Sequence, residues 1–147
     1  MRISRLLIAV SLFTLACRDR PVPSNSFAAS LNVDPSTLSE AGGVKYKDLV
    51  VGTGPAPQRG QAIAIHYDGR LTNGTPFDAN GPNDQPYVFR LGMGDVIPGF
   101  DAGIAGMKVG GRRQVIIPPE LGYGASGSGP IPPNATLVFV IDLVGVQ

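Results

Sequence analysis

Apolar and polar positions alternate along most of this chain in short strand-like runs grouped around one helix-like segment. In Ala62 to Leu71, the residues Ile63, Ile65 and Tyr67 fall on one face and Ala62, Ala64 and His66 on the other, the period of a half-buried strand. Tyr87 to Leu91 repeats the pattern with Tyr87, Phe89 and Leu91. Thr136 to Val146 repeats it with Leu137, Phe139, Ile141 and Leu143. Val44 to Val51 reads as a first strand ended by Gly52-Thr53-Gly54-Pro55, and Arg112 to Ile117 as a strand stopped by Pro118-Pro119. Val96 to Met107 differs from all of these. There Phe100, Ile104 and Met107 recur at i, i+4 and i+7, and Pro98 suits a first helical position. The expected element is a helix of one to three turns. Its glycines at 99, 103 and 106 each weaken it by roughly 1 kcal/mol relative to alanine, so packing must hold it in place. The pattern predicts an α+β domain, an antiparallel sheet wrapped around one short helix.

The connections carry their own signals. Asn73-Gly74 marks a tight hairpin, Ala79 to Pro86 a polar bulge, and Ala125 to Pro133 a Gly/Ser/Pro loop. Ahead of the domain, Arg2 and Arg5 precede an uncharged run from Leu6 to Ala16, the form of an export signal. Eleven residues fall well short of the roughly twenty that a membrane-spanning helix needs. Cys17, the single cysteine, follows that run directly, and Thr14-Leu15-Ala16-Cys17 resembles a bacterial lipobox. Thr14 stands where leucine is usual, so cleavage by an ordinary signal peptidase stays open. Residues 1–17 are thus expected to be a signal with a lipidation cysteine, 18–42 a Pro-, Ser- and Asn-rich tether, and 43–147 the folded domain. Ser36 to Glu40 could make one helical turn within the tether.

Composition narrows the chemistry. Twenty Gly and 14 Pro in 147 residues suit a turn-rich β-type domain. A net charge of +1 with no basic run beyond Arg112-Arg113 excludes nucleic acid as a partner. One outward-facing histidine supports no Ser/His/Asp arrangement, no His/Cys cluster could hold zinc, and no phosphate loop is present. What remains is a set of aromatic and aliphatic residues arriving from several strands and loops. Such a set can be a core or an apolar pocket with a few polar groups at its rim. Tyr123, in a loop between glycines, and Asp78, directly after Phe77 in a turn, favour the pocket.

Seven collinear motifs then become specific. They are His66-Tyr67-Asp68-Gly69, Gly74 to Asp78, Phe89 to Gly92, Val96 to Phe100, Gly106 to Gly110, Tyr123-Gly124 and Ile131 to Phe139. Together they resemble the macrolide-binding immunophilins, the FKBP-type peptidyl-prolyl cis-trans isomerases, from about Gly43 to Gln147. The resemblance implies an FKBP-like curled sheet of five or six strands around one helix, with a shallow hydrophobic pocket between them. It assigns Tyr67, Phe77, Asp78, Ile97, Tyr123 and Phe139 to catalysis, and Tyr87, Val96, Phe100 and Ile131 to substrate binding. Phe100 would form the floor, where many relatives carry tryptophan. The Ile97 N–H and Tyr123 hydroxyl would bond substrate carbonyls, with Asp78 and Tyr67 at the rim. Two departures from the pattern bear on substrate preference: the loop from Ala125 to Ile131 is about one residue shorter than in short human-type members, and Asn80 to Gln85 lacks a basic residue often found there. The implied activity is rotation about X-Pro bonds, with no metal or cofactor. The implied partners are Pro-containing segments of folding proteins and macrolides, with membrane contact through a lipid on Cys17. The whole picture is a monomeric exported isomerase of the bacterial cell envelope. The alternative is a non-catalytic module that holds Pro-containing segments. A holding chaperone would need an apolar insert between Phe77 and Val96, where only a short polar loop occurs.

Overall fold

The computed structural model describes residues 27–147. The expected signal segment, Cys17 and the first part of the expected tether lie outside the described residues. Seven strands form one antiparallel sheet: β1 (Ser39–Ala41), β2 (Val44–Val50), β3 (Ala62–Leu71), β4 (Pro76–Asn80), β5 (Tyr87–Arg90), β6 (Arg112–Ile117) and β7 (Leu137–Val146). Their order is β1-β2-β6-β7-β3-β4. β5 pairs with the first half of β3, from Ala62 to Ile65, and β4 with the second half, from Tyr67 to Arg70. The long strand β3 therefore has two successive edge partners. The polar loop between them, 81–86, is tied back to the end of β4, where Asn80 Nδ2 donates to the Gln85 carbonyl at 2.8 Å. The count exceeds the five or six strands expected, and two of the seven, β1 and β4, are short pieces in turn-rich stretches.

Helix α1 (Pro98–Ile104) is shorter than the apolar stretch that suggested it. Pro98 occupies the first turn, and Phe100, Ile104 and Met107 are all buried against the inner face of the sheet. The glycines that weaken the helix allow its close approach. A Cβ at Gly103 would lie 2.6 Å from Val115 Cγ1, and one at Gly99 would overlap Ile117. Arg113 then fastens the C-terminal end. Its guanidinium donates from Nη1 to the carbonyls of Gly103 and Ala105 at 3.1 and 2.9 Å, and its Nε lies 2.7 Å from Asp48 Oδ1. It also stacks on the Tyr46 ring at 4.2 Å. A 5% exposed cation is thereby satisfied, as a buried charge must be.

Strands β6 and β7 bury both faces. Val115, Ile117, Leu137, Phe139, Ile141 and Leu143 point inward, while Ile116 and Val138, paired across the strands, point outward. Here the expectation of a tether over 18–42 does not hold from residue 27 on. Leu31 packs on Ile116 and Val138, with Phe27, Ala28, Val33 and Leu38 around them. The Ala28 N–H donates to the Thr72 carbonyl at 2.7 Å, and Gln114 Nε2 to the Leu31 carbonyl at 2.8 Å. The helical turn expected over Ser36 to Glu40 is displaced as well. A 3₁₀ turn runs Pro35–Thr37, and Ser39–Ala41 is strand β1. Asp34 rather than Ser36 caps the turn, its carboxylate accepting from Ser36 N at 3.0 Å and Ser36 Oγ at 2.7 Å, and those bonds hold its pKa below the usual aspartate value. Among the described residues no helix is long and apolar enough to cross a membrane.

Candidate functional site

Between α1 and the inner face of β3 lies a cavity of about 570 Å³. Each wall has a local cause. β3 places Tyr67 at its rim by alternation from the fully buried Ile63 and Ile65. β4 pairs with the far half of β3 and presents Phe77 and Asp78. β5 supplies Tyr87, the turn into the helix Val96 and Ile97, and the helix itself Phe100. The fourth side is the 118–136 connection. A tight turn joins Ser128 and Ile131 through two backbone bonds of 3.0 and 2.9 Å, which buries Ile131 and leaves Gly129 and Pro130 at the mouth. Gly127, at φ +66°, starts that turn, and a Cβ there would overlap the Ile131 carbonyl.

The floor is aromatic. Phe100 and Phe139 meet edge to face at 4.6 Å and 87°, Phe77 and Phe139 at 5.4 Å and 88°, and Tyr67 and Phe100 at 5.8 Å and 89°. Perpendicular rings fix one another while leaving open space above their faces. Gly69 makes the arrangement fit, since a Cβ there would come within 2.6 Å of Phe139 and 2.9 Å of Phe77. Tyr67 donates from its hydroxyl to Asp78 Oδ2 at 2.9 Å. Burial, and then the neighbouring Asp78 carboxylate, push the Tyr67 pKa up to about 12, so the phenol stays a neutral donor at any physiological pH.

Two further donors belong to residues that line the cavity. The Ile97 N–H and the hydroxyl of the 38% exposed Tyr123 have no acceptor among the described residues. The structure brings all ten of the expected site residues, Tyr67, Phe77, Asp78, Tyr87, Val96, Ile97, Phe100, Tyr123, Ile131 and Phe139, to this one cavity. Asp95, Ser128, Gly129 and Pro130 also line it, and sequence reasoning did not single them out. Asp95 directly precedes Val96, so adjacency was the available signal. The other three sit in a Gly/Ser/Pro loop with no periodicity. His66 lies outside the cavity, its Nδ1 hydrogen-bonded to Asn80 Oδ1 at 2.8 Å.

The pocket of this domain, aromatic at its floor with two free donors among its lining residues, has the form to take an extended apolar peptide or a compact apolar ligand. Residues 54–144 match the model of the FKBP-type peptidyl-prolyl cis-trans isomerases. The chain belongs to that family. It is 48% identical over 106 residues to an FK506-binding protein of Neisseria meningitidis serogroup B, covering 71% of this chain and 97% of that protein. It is 49% identical over 110 residues to FK506-binding protein 4 of Dictyostelium discoideum, covering 74% of this chain but only 30% of that longer protein. Among solved structures, a peptidyl-prolyl cis-trans isomerase of Pseudomonas syringae superposes with a TM-score of 0.69 at 35% identity, covering 81% of this chain and 86% of that one.

Proposed function

We propose that this chain catalyses cis-trans rotation about X-Pro peptide bonds by a non-covalent route in the aromatic cavity. The carrying observation is the pair of unpartnered donors, Ile97 N–H and Tyr123 hydroxyl, set around a floor of Phe77, Phe100 and Phe139. The barrier to X-Pro rotation, of order 18–20 kcal/mol, arises from amide resonance, and lowering it requires no bond to the enzyme. The proline ring would rest on Phe100 and Phe139. The two donors would hold the flanking carbonyls while the amide between them turns. An apolar surround disfavours the planar, charge-separated amide relative to the twisted one, whose resonance is broken, and the fixed donors select the twist. Tyr67 and Asp78 lock each other at the rim and keep Tyr67 neutral.

The physiological role proposed with this activity is assistance to exported proteins, whose folding often waits tens to hundreds of seconds on proline. The basic flank and apolar run of Met1 to Ala16, followed by Cys17, support export and a lipid anchor in the bacterial envelope. The deciding experiment follows isomerisation of a Leu-Pro peptide by the full chain, with and without a macrolide such as rapamycin. Acceleration that the macrolide suppresses is expected. A folded chain that binds the peptide without accelerating it would overturn the catalytic reading and leave a module that holds Pro-containing segments.

A further inference from the structure

The charges around the cavity are one-sided. Three of the segments around it, residues 76–89, 94–100 and 118–136, contain Asp78, Asp84, Asp95 and Glu120 and no lysine or arginine, although the whole chain carries a net +1, and the β3 wall adds only Asp68 and Arg70, paired with each other at 2.7 Å. Asp78 and Asp95 line the cavity directly. Asp78 accepts from the Tyr67 hydroxyl, and neither it, Asp84 nor Glu120 has a cationic partner among the described residues. Asp84 binds only the Gly81 N–H, at 2.7 Å. Two arginines stand on that side: Arg59, whose Nε donates to the Gly92 carbonyl at 3.2 Å, and Arg90, whose Nε stands 3.8 Å from Asp95 on an exposed surface, a pair too loosely held to neutralise the rim. The remaining arginines among the described residues are committed elsewhere: Arg113 under the helix, Arg112 with Asp142 and Arg70 with Asp68.

We infer that this mouth selects proline segments carrying lysine or arginine within about two residues of the proline, and disfavours acidic ones. The inference rests on the pocket being the peptide site. The aromatic floor and the two donors take the Leu-Pro unit whatever its neighbours. An extended peptide advances about 3.3 Å per residue, so side chains one or two residues away lie over the carboxylate rim. The charge acts through solvent and is therefore modest and sensitive to salt.

The test measures binding and isomerisation of three matched peptides by the full chain, with Leu-Pro-Phe flanked on both sides by Lys, Gln or Glu. At low salt the dissociation constants are expected to rank Lys below Gln below Glu, with roughly a threefold to tenfold span between the extremes, collapsing toward unity near 1 M salt. A double variant, Asp84→Asn with Glu120→Gln, alters two exposed carboxylates outside the cavity lining and should narrow the Glu-to-Lys ratio. Asp95→Asn should narrow it further. Equal affinity for the Lys and Glu peptides at low salt overturns the inference, whether or not the peptides are isomerised. Charge-ranked binding without acceleration upholds it and overturns the isomerase reading instead.

Discussion

The two faces of the sheet are covered in different ways. On the inner face a seven-residue helix sits on aromatic rings that meet edge to face, and a cavity remains beside it. On the outer face a non-periodic segment, residues 27–38, seals Ile116 and Val138. Adjacent residues of β6 serve the two sides in parallel. Arg113 reaches inward to the carbonyls that end the helix, and Gln114 reaches outward to the Leu31 carbonyl. A charged fork holds an element made weak by two glycines. One side-chain amide, with its Oε1 left unpartnered among the described residues, holds the segment on the closed side together with the Ala28–Thr72 backbone bond. Open space is tolerated where rigid rings frame it, and elsewhere the chain covers its own apolar surface.

That difference can be broken from either side. Phe139→Ala removes the ring shared by Phe77, Tyr67 and Phe100. It is expected to cost about 3–5 kcal/mol of stability and most of the isomerisation rate, measured by denaturant unfolding and a peptide assay. Leu31→Ala opens the outer cluster and should cost about 2 kcal/mol, the low end for such truncations because few residues surround it. The folded fraction of that variant should isomerise peptide at the wild-type rate. A large rate loss there would show that the outer cover shapes the pocket. Gly99→Ala forces the helix off Ile117 and should cost roughly 1–3 kcal/mol by overpacking. Because Ile97 precedes that turn, peptide affinity should fall with it, as a titration would show.

The smallest effect is a pH slope. The folded-state pKa of Tyr67 is raised to about 12 from 10, so its contribution to stability is complete below pH 10 and is lost as pH rises toward 12. Tyr67→Phe should flatten that part of the stability profile relative to wild type. Identical slopes in the two proteins would mean that the Tyr67 phenol is neither desolvated nor bonded to Asp78 in solution as it is here.

The inner face was legible in the sequence because its strands keep period two and its helix keeps i, i+4, i+7. The pocket residues were legible through the family resemblance, since rings alone look the same in a core and in a site. The outer face was missed for a physical reason. Phe27, Leu31, Val33 and Leu38 have no common period and lie among Pro, Ser and Asn. Their partner signal was nevertheless present, for Val115-Ile116-Ile117 and Leu137-Val138-Phe139 are continuous apolar runs rather than alternating ones, and continuous runs mark strands buried on both sides. Gly69 and Gly99 were equally silent, because a close approach between elements is a property of the assembled fold.

The place of β7 has a consequence in time. It lies between β6 and β3, pairing Leu71 with Leu137 and Ile63 with Val146. A chain that emerges N-terminus first therefore holds β3 with only its short partners β4 and β5, and cut off from β6, until β7 arrives. A seven-residue helix with two internal glycines cannot persist alone in water, and pairings this distant in sequence close slowly. The pocket, with Phe139 in its lining, is thus complete only once β7 is in place, and it can act on other chains no earlier.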